Sequence, residues 1–170
     1  MKAKILEHTG DLFDYKDDYI LAHCIAADFG MAGGIAKQFV DKMNMRDKLK
    51  YWAYTNDIEV ALNPRGNYGV TRPQLLGKAV LIEGTFNLIT KLWTCEQPTY
   101  EDLYDSLKDM KRQVQELNIK KLAMPKIGCG IDGLSWVAVF TMIMSTFKDM
   151  DIEIVIVSLP TAFDLLDKKI

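Results

Sequence analysis

The stretch at residues 124–132 combines glycines and a carboxylate in a pattern that could bind a phosphate group. It has the sequence Met-Pro-Lys-Ile-Gly-Cys-Gly-Ile-Asp, between a short apolar run and a longer apolar segment that begins near Leu134. This order predicts a strand, a glycine turn and a helix. Gly128 and Gly130 would let another molecule approach the main chain, and free N–H groups at a helix start attract anions. Asp132 is then either an acid beside a bound phosphate or the N-cap of the helix.

A second glycine-rich stretch, residues 25–34, follows the continuous apolar run of residues 20–24. Gly30, Gly33 and Gly34 are separated by small or apolar residues, so few cations are present to bind a phosphate through side chains. Two such loops after strands favour recognition of a diphosphate by the backbone. Neither has the Gly-Lys-Ser/Thr ending of a P-loop or a clean Gly-x-Gly-x-x-Gly pattern, which disfavours a nucleoside triphosphatase or a dehydrogenase.

Lys91 is a candidate nucleophile. It ends a predominantly apolar run at residues 86–90, where its amine would be partly removed from water. Such amines can attack carbonyl-like carbons. The alternative is a lysine that extends its ammonium group into solvent from the end of a strand.

Other candidate side chains each have two interpretations. Asp11 could bind a polar ring edge or bond to its own backbone in a turn. Asp28 could contact a ligand or cap a turn. His23 lies within an apolar strand, which is more typical of a core histidine than of a catalytic one. We expect Cys24 and Cys129 to be small buried hydrophobes.

Composition limits the class of protein. The 170 residues are 49% hydrophobic and 26% charged, which predicts one globular domain over residues 1–170. A net charge of −2 gives no overall attraction to nucleic acid or anionic membranes. Three widely spaced cysteines argue against a disulfide framework and fit a reducing, cytoplasmic location. Two histidines and no Cys-x-x-Cys pair argue against a structural zinc site.

Membrane and secretory signals are not expected. The N-terminus becomes polar within ten residues. No apolar run approaches the ~20 residues that are needed to cross a bilayer.

Apolar periodicity predicts the elements that would hold these residues. Strands are expected at residues 3–6, 20–24, 78–83, 86–91, 121–124 and 152–157, the third and fourth forming a hairpin around Gly84-Thr85. Helices are expected from Ile35, over residues 46–55, after the N-cap Thr99, and from about 134 to 147. We expect a loop at residues 61–74 and one helical turn at residues 162–166.

The alternation of strands and helices predicts a three-layer α/β/α domain with a mixed, mostly parallel central sheet. In such sheets ligands bind beyond the carboxyl ends of the strands. Both glycine-rich stretches leave from carboxyl ends, so they could lie side by side and hold one ligand.

Several motifs resemble a known family. The segments Gly10-Asp11-Leu12-Phe13, Leu21-Ala22-His23-Cys24-Ile25 and Met31-Ala32-Gly33-Gly34-Ile35-Ala36 resemble the opening of a macrodomain. The segments Leu88-Ile89-Thr90-Lys91, Pro98-Thr99-Tyr100-Glu101 and residues 124–132 are similar, in order and spacing, to the branch typified by the terminal ADP-ribose protein glycohydrolase. The resemblance runs from about Lys4 to Leu159.

The resemblance implies ADP-ribose binding and hydrolysis. Asp11 would bind the adenine amino group, supported by the backbone of the next residue, and the two glycine loops would hold the diphosphate. Lys91 would attack the anomeric carbon of the distal ribose, and Asp132 would assist and help to release the lysyl adduct. The expected ligand-binding residues are Asp11, Leu12, His23, Asp28, Met31, Gly33, Gly34, Ile35, Ile127, Gly128, Cys129, Gly130 and Ile131. We expect no cofactor and no metal.

The sequence departs from the wider family pattern in two places. Where many macrodomains have asparagines after the second strand, this chain has Cys24-Ile25-Ala26-Ala27-Asp28, which argues against an asparagine-dependent mechanism. The segment at residues 54–76 is also longer than its equivalent in the human member of the branch.

The function expected from the resemblance is removal of mono-ADP-ribose from an acidic side chain or from a nucleic-acid base. One alternative is a phosphatase acting on ADP-ribose 1″-phosphate, in which His23 could take part. Another is a reader that binds ADP-ribose without turnover, which the presence of both Lys91 and Asp132 disfavours. The expected partners are ADP-ribose and mono-ADP-ribosylated protein or nucleic acid, without a membrane, and the chain is expected to be a monomer.

Overall fold

The computed structural model describes residues 2–58 and 74–161, and within them one sheet is covered on both faces by helices. Its strands are β1 (Lys4–Thr9), β2 (Ile20–Ala26), β3 (Ala79–Ile82), β4 (Thr85–Lys91), β5 (Lys121–Met124) and β6 (Glu153–Ser158). Its helices are α1 (Gly34–Met43), α2 (Met45–Thr55), α3 (Tyr100–Glu116) and α4 (Trp136–Phe147), with a short 3₁₀ helix at Leu12–Tyr15. The turn expected at residues 162–166, and all of the expected 61–74 loop except Gln74, lie outside the described residues.

The six strands lie in the order β1-β6-β5-β2-β4-β3. All neighbours are parallel except β3, which runs antiparallel to β4. The β3–β4 hairpin turns at Glu83 and Gly84, whose φ angles of 45° and 79° are both positive, as a primed two-residue turn requires. The predicted mixed, mostly parallel sheet is confirmed.

Two apolar clusters fill the spaces between the layers. On one face, Leu21 and Ile25 of β2 pack in a cluster with Phe39 of α1 and Leu49 of α2. On the other, strand residues pack with the apolar faces of α3 and α4 in a cluster that includes Leu88, Leu103, Leu107, Val139 and Ile143. Each such side chain contributes about 1.5–3 kcal/mol by leaving water, and together they fix the strand ends.

Three predicted boundaries differ from the observed ones by two residues or more. Strand β2 ends at Ala26, two residues beyond the predicted end at Cys24, because it pairs with β4 as far as Lys91. Strand β1 extends to Thr9 because it pairs with β6 as far as Ser158, although its last residues are polar and exposed. Helix α4 begins at Trp136 and not near Leu134, because the Leu134 amide donates to the Gly128 carbonyl at 2.8 Å within a turn. Helix α3 begins as predicted, with the Thr99 side chain accepting a hydrogen bond from the Asp102 amide.

The carboxyl ends of β1, β2, β4, β5 and β6 meet at one edge of the sheet, since these strands are mutually parallel. The segments that follow β1, β2 and β5, and the last residue of β4, therefore converge there. Among the described residues, no helix has the length and apolar character to cross a membrane.

Candidate functional site

Lys91 and Asp132 form an ion pair at this edge. Lys91 is the last residue of β4, and Asp132 lies in the segment between β5 and α4. The Lys91 Nζ and Asp132 Oδ1 atoms are 2.7 Å apart, and the two side chains are only 11% and 17% exposed. Helix α4 has Ser135 at its N-cap position, so Asp132 does not cap it. The fold thus brings an amine and a carboxylate together from positions 41 residues apart.

The segment between β5 and α4, residues 125–135, is called the second glycine loop. Gly128 has a φ angle of 72°, and a Cβ built there would lie 3.0 Å from Leu134 Cδ1. Gly133 also has a positive φ, and its amide donates to the Gly130 carbonyl at 3.2 Å. Tyr100 supports the end of the loop by accepting a hydrogen bond from the Ser135 amide at 3.0 Å. The loop is therefore held by its own backbone and by α3.

The backbone conformation requires glycine at position 128 but not at position 130. Gly130 is outside the left-handed region, and a Cβ there would have no heavy atom within 4 Å. The side chain of Ile127 is buried, so a ligand could reach only its backbone. Gly130 and Ile131 are exposed, and they form the open part of the loop.

The segment between β2 and α1, residues 27–33, is called the first glycine loop. Gly33 is the N-cap residue of α1 and Gly34, with φ 61°, is its first residue. The start of a ten-residue helix therefore has exposed glycine backbone, which suits an anion. Met31 and Ile35 turn towards the core, Met31 with its side chain fully enclosed.

Ile131 brings the two loops next to each other. Its side chain is 80% exposed. Its Cδ1 atom lies 3.5 Å and 3.4 Å from the positions that a Cβ would take on Gly33 and Gly34. The two glycine loops thus lie side by side, as a shared diphosphate site requires.

The Asp28 carboxylate is hydrogen-bonded to other residues of the protein. Its Oδ1 accepts hydrogen bonds from the Gly30 amide at 2.9 Å and from Thr94 Oγ1 at 2.6 Å, and its Oδ2 accepts one from the Thr94 amide at 2.8 Å. Arg46 of α2 donates to the carbonyls of Phe29 and Gly30. Asp28 therefore holds the first glycine loop in place, in line with the turn-capping alternative considered from the sequence, and its contact with a ligand stays a prediction.

His23 lies in the core and not among the ligand-binding residues, where it was expected. It is 0% exposed, stacks on Phe39 with ring centroids 3.9 Å apart, and its Nε2 lies 2.6 Å from Asn87 Oδ1. Burial lowers its pKa to about 4, with the Asn87 hydrogen bond opposing that shift. A neutral core histidine without exposed surface cannot contact a ligand at the sheet edge.

Asp11 makes the turn contact considered from the sequence, and its carboxylate is still exposed. Its Oδ1 accepts a hydrogen bond from the Phe13 amide at 2.9 Å, so it caps the 3₁₀ helix as a turn residue. Its side chain is still 45% exposed, and Oδ2 lies 3.5 Å from Lys42 Nζ. The Leu12 side chain is buried, so only its backbone could support a ligand.

The two cysteines near the site are partly buried thiols. Burial raises the pKa of Cys24, and the negative charge of nearby Asp132 adds to that effect. Burial also raises the pKa of Cys129, whose Sγ donates to the Ile127 carbonyl. Both thiols stay protonated near neutral pH.

The sequence did not identify three residues that shape this site: Thr94, Arg46 and Lys42. Each acts on a residue distant in the chain, and Thr94 lies 66 residues from Asp28. Only their positions beside predicted strand or helix ends could have pointed to them. Among residues 2–58 and 74–161, no group of three or more His, Cys, Asp and Glu side chains could hold a metal ion.

Comparison with known proteins shows to which family the chain is similar. Residues 23–143 match the family model described as Macro domain. The human protein named ADP-ribose glycohydrolase OARD1 is 34% identical over 158 residues, covering 92% of this chain and 93% of the relative.

Solved structures share the fold. The macrodomain of Mycobacterium tuberculosis DarG has a TM-score of 0.72 at 22% identity, covering 94% of this chain and 99% of that one. Thermosipho africanus DarTG, solved in complex with ADP-ribose, has a TM-score of 0.68 at 16% identity, covering 94% of this chain and 43% of that one. The family match, the extended identity to the human relative and the shared fold lead to one conclusion: this chain belongs to the Macro domain family.

Proposed function

We propose that this chain is an ADP-ribose-binding hydrolase that removes mono-ADP-ribose from a modified macromolecule, with Lys91 as nucleophile and Asp132 as its acid–base partner. The observation that carries the proposal is the 2.7 Å contact between Lys91 Nζ and Asp132 Oδ1 beside two adjoining glycine loops. The class of reaction is supported by the human relative, which is named an ADP-ribose glycohydrolase and is 34% identical.

The sheet order gives the direction in which ADP-ribose would lie. Asp11 follows the edge strand β1, whereas the two glycine loops follow the central strands β5 and β2 and Lys91 ends β4. Adenine at Asp11, diphosphate at the loops and distal ribose at Lys91 would follow this order along the sheet edge. The exposed backbone at the start of α1 would receive the negative charge of the diphosphate.

The ion pair suggests how the proton and electron pairs move. Asp132 takes a proton from the Lys91 ammonium, and the free amine attacks the anomeric carbon of the distal ribose. The bond from that carbon to the modified group breaks, and its electron pair leaves with the carboxylate or base. Asp132 gives its proton to this leaving group and is a carboxylate again. Water then attacks the anomeric carbon of the lysyl adduct while Asp132 accepts a proton from that water. The C–N bond breaks with its electron pair going to the Lys91 amine, which takes the proton back from Asp132 as ADP-ribose is released.

The alternatives have less support. A phosphatase that depends on His23 would need a histidine at the sheet edge, and His23 is enclosed in the core. A reader without turnover has no need for a nearly buried lysine and aspartate in contact. The class of modified group, an acidic side chain or a nucleic-acid base, is left to the substrate assay.

The test compares the wild type with Lys91→Ala and with Lys121→Ala, an exposed lysine at the opposite end of β5. Release of free ADP-ribose is measured from glutamate-modified protein and from base-modified DNA, and release of phosphate is measured from ADP-ribose 1″-phosphate. We expect the wild type and Lys121→Ala to release ADP-ribose, and Lys91→Ala to lose about 100-fold or more in turnover while keeping ADP-ribose affinity within a few-fold.

Binding without release from either modified macromolecule would identify a reader. Activity on the 1″-phosphate alone would identify a phosphatase. Equal activity of wild type and Lys91→Ala would remove Lys91 from the mechanism.

A further inference from the structure

Thr94 joins the segment that follows Lys91 to the first glycine loop. It lies three residues beyond Lys91, and both its amide and its hydroxyl donate to the Asp28 carboxylate, at 2.8 Å and 2.6 Å. The same carboxylate accepts a hydrogen bond from the Gly30 amide. One side chain in the first glycine loop therefore binds both its own loop and the chain that leaves β4.

Close packing at Gly30 is a second sign of this contact. A Cβ at Gly30 would lie 1.9 Å from Thr94 Oγ1 and 2.9 Å from Thr94 Cβ, so the Thr94 side chain fills the space beside the glycine. Its neighbours Phe29 and Met31 have left-handed φ angles of 54° and 49°, which non-glycine residues rarely adopt. A loop in such a conformation needs external support.

The Asp28–Thr94 contact lies just beyond the ends of β2 and β4, close to Lys91. Strands β2 and β4 lose regular register between Ile25 and Ala26, and Ala26 pairs with Lys91. The Ala27 amide makes a last ladder hydrogen bond to the Lys91 carbonyl at 2.9 Å. Beyond that bond, the Asp28 and Thr94 side chains connect the two chains as they leave the sheet.

Building on the proposed function, we propose that Asp28 and Thr94 are positioning residues, forming a clasp that fixes the diphosphate-binding loop relative to the nucleophile Lys91. ADP-ribose held by the first glycine loop presents its distal ribose to Lys91 at a distance that the clasp sets. A displacement of about 1 Å at a reacting centre can cost about 100-fold in rate. The clasp therefore acts on turnover more than on ADP-ribose affinity.

The variants remove the clasp in steps. Thr94→Val deletes the hydroxyl donor and keeps the branched shape and the amide, whereas Thr94→Ser keeps the hydroxyl. Asp28→Ala removes the acceptor of all three hydrogen bonds. Thr141→Val is the matched control, because Thr141 is exposed on α4 and its hydroxyl bonds only within that helix.

The experiment measures kcat and KM on a mono-ADP-ribosylated substrate, the Kd of ADP-ribose by calorimetry, and hydrogen exchange at the Gly30 and Thr94 amides. We expect kcat to fall about tenfold in Thr94→Val and further in Asp28→Ala, with Kd changed by about threefold or less. Thr94→Ser and Thr141→Val should stay within about twofold of wild type. Exchange should become faster at both amides in Thr94→Val and at neither in Thr94→Ser.

Two results would overturn the clasp. Loss of ADP-ribose affinity in proportion to activity would make Asp28 and Thr94 part of the binding site. Faster exchange at Thr94 alone, with Gly30 unchanged in Thr94→Val, would show that the two segments are not coupled. The hydrogen-exchange measurement does not depend on enzyme activity. A wild type that neither binds nor hydrolyses ADP-ribose would refute the proposed function, and the exchange at Gly30 and Thr94 would then decide whether the clasp exists.

Discussion

The two glycine loops lie side by side but are held in place by different means. The second glycine loop is fixed mainly by local backbone bonds and by the left-handed φ angles of Gly128 and Gly133, with one hydrogen bond from its end to Tyr100 of α3. The first glycine loop is fixed by polar side chains that reach it from other elements, namely Arg46 of α2 and Thr94 after β4. The comparison shows that two neighbouring loops with glycines can be held in place by different interactions.

This difference predicts where each loop is sensitive to substitution. The second glycine loop should fail when a glycine of positive φ is replaced, and it also carries a reacting group, Asp132. The first glycine loop should fail when a distant partner is changed.

Asp132→Asn should have the largest effect. It tests whether the second glycine loop carries a reacting group. Asparagine cannot accept a proton from Lys91, so turnover should fall by about 100- to 10,000-fold, the range for loss of a general acid or base. Because Ser135 and not Asp132 occupies the N-cap position of α4, the melting temperature should change little. Turnover, melting temperature and intact mass should be measured together, and a mass increase of one ADP-ribose at Lys91 would support the covalent route. Near-normal turnover would remove Asp132 from the mechanism.

The second largest expected effect is a pH-dependent loss of stability at His23, a core residue near the first glycine loop. His23 lies on β2 before this loop and stacks on Phe39 after it. Burial lowers the pKa of His23 to about 4, below its ordinary value of 6.5, so the unfolded chain binds a proton more readily. The stability that His23 contributes is complete above pH 6.5 and is lost as the pH falls towards 4, by at most about 3 kcal/mol.

This pH dependence can be measured by denaturant unfolding at pH 7, 5.5 and 4.5. His8→Gln is a suitable control, since His8 is exposed on β1 and bonds to Tyr15, and this variant should keep the same slope. A free energy of unfolding that stays constant between pH 6.5 and 4.5 would contradict a neutral, enclosed His23.

The smallest expected effect separates two glycines of the second loop. Gly128→Ala forces a Cβ into a left-handed conformation and towards Leu134, which should cost about 1–2 kcal/mol in the free energy of unfolding. Gly130→Ala should leave stability unchanged, because its Cβ would meet open space. Urea unfolding of both variants provides the measurement. Equal destabilisation of the two would mean that the loop does not depend on positive φ at Gly128.

Much of the fold could be predicted from local patterns. Strand β5 has the predicted bounds, and the β3–β4 hairpin and the Thr99 cap of α3 are as predicted, because each depends on residues close in sequence. The end of β1 was missed because its polar residues are ordered by pairing with β6, over 140 residues away. The start of α4 was missed because a turn within the second glycine loop includes Leu134.

The candidate site was predictable to a different degree. The residues Lys91 and Asp132 were identified by resemblance to a family, and the structure places them in contact. The two alternatives for Asp28 could not be separated from the sequence, because its partner Thr94 carries no sequence signal of its own. The sequence did not separate Gly128 from Gly130, because two glycines in one short motif cannot be told apart without their φ angles.

The order of the strands has a consequence for the Lys91–Asp132 pair. Lys91 ends β4, whereas Asp132 lies in the second glycine loop beyond the end of β5, and β2 separates these two strands. Strands two places apart are about 9–10 Å from each other, so the second glycine loop must carry Asp132 past the end of β2 for the pair to form. The last residue of β2 and the one after it, Ala26 and Ala27, are both buried alanines. The distance between the amine and the carboxylate therefore depends on the path of the second glycine loop past the end of β2, where the small residue Ala26 is the ladder partner of Lys91.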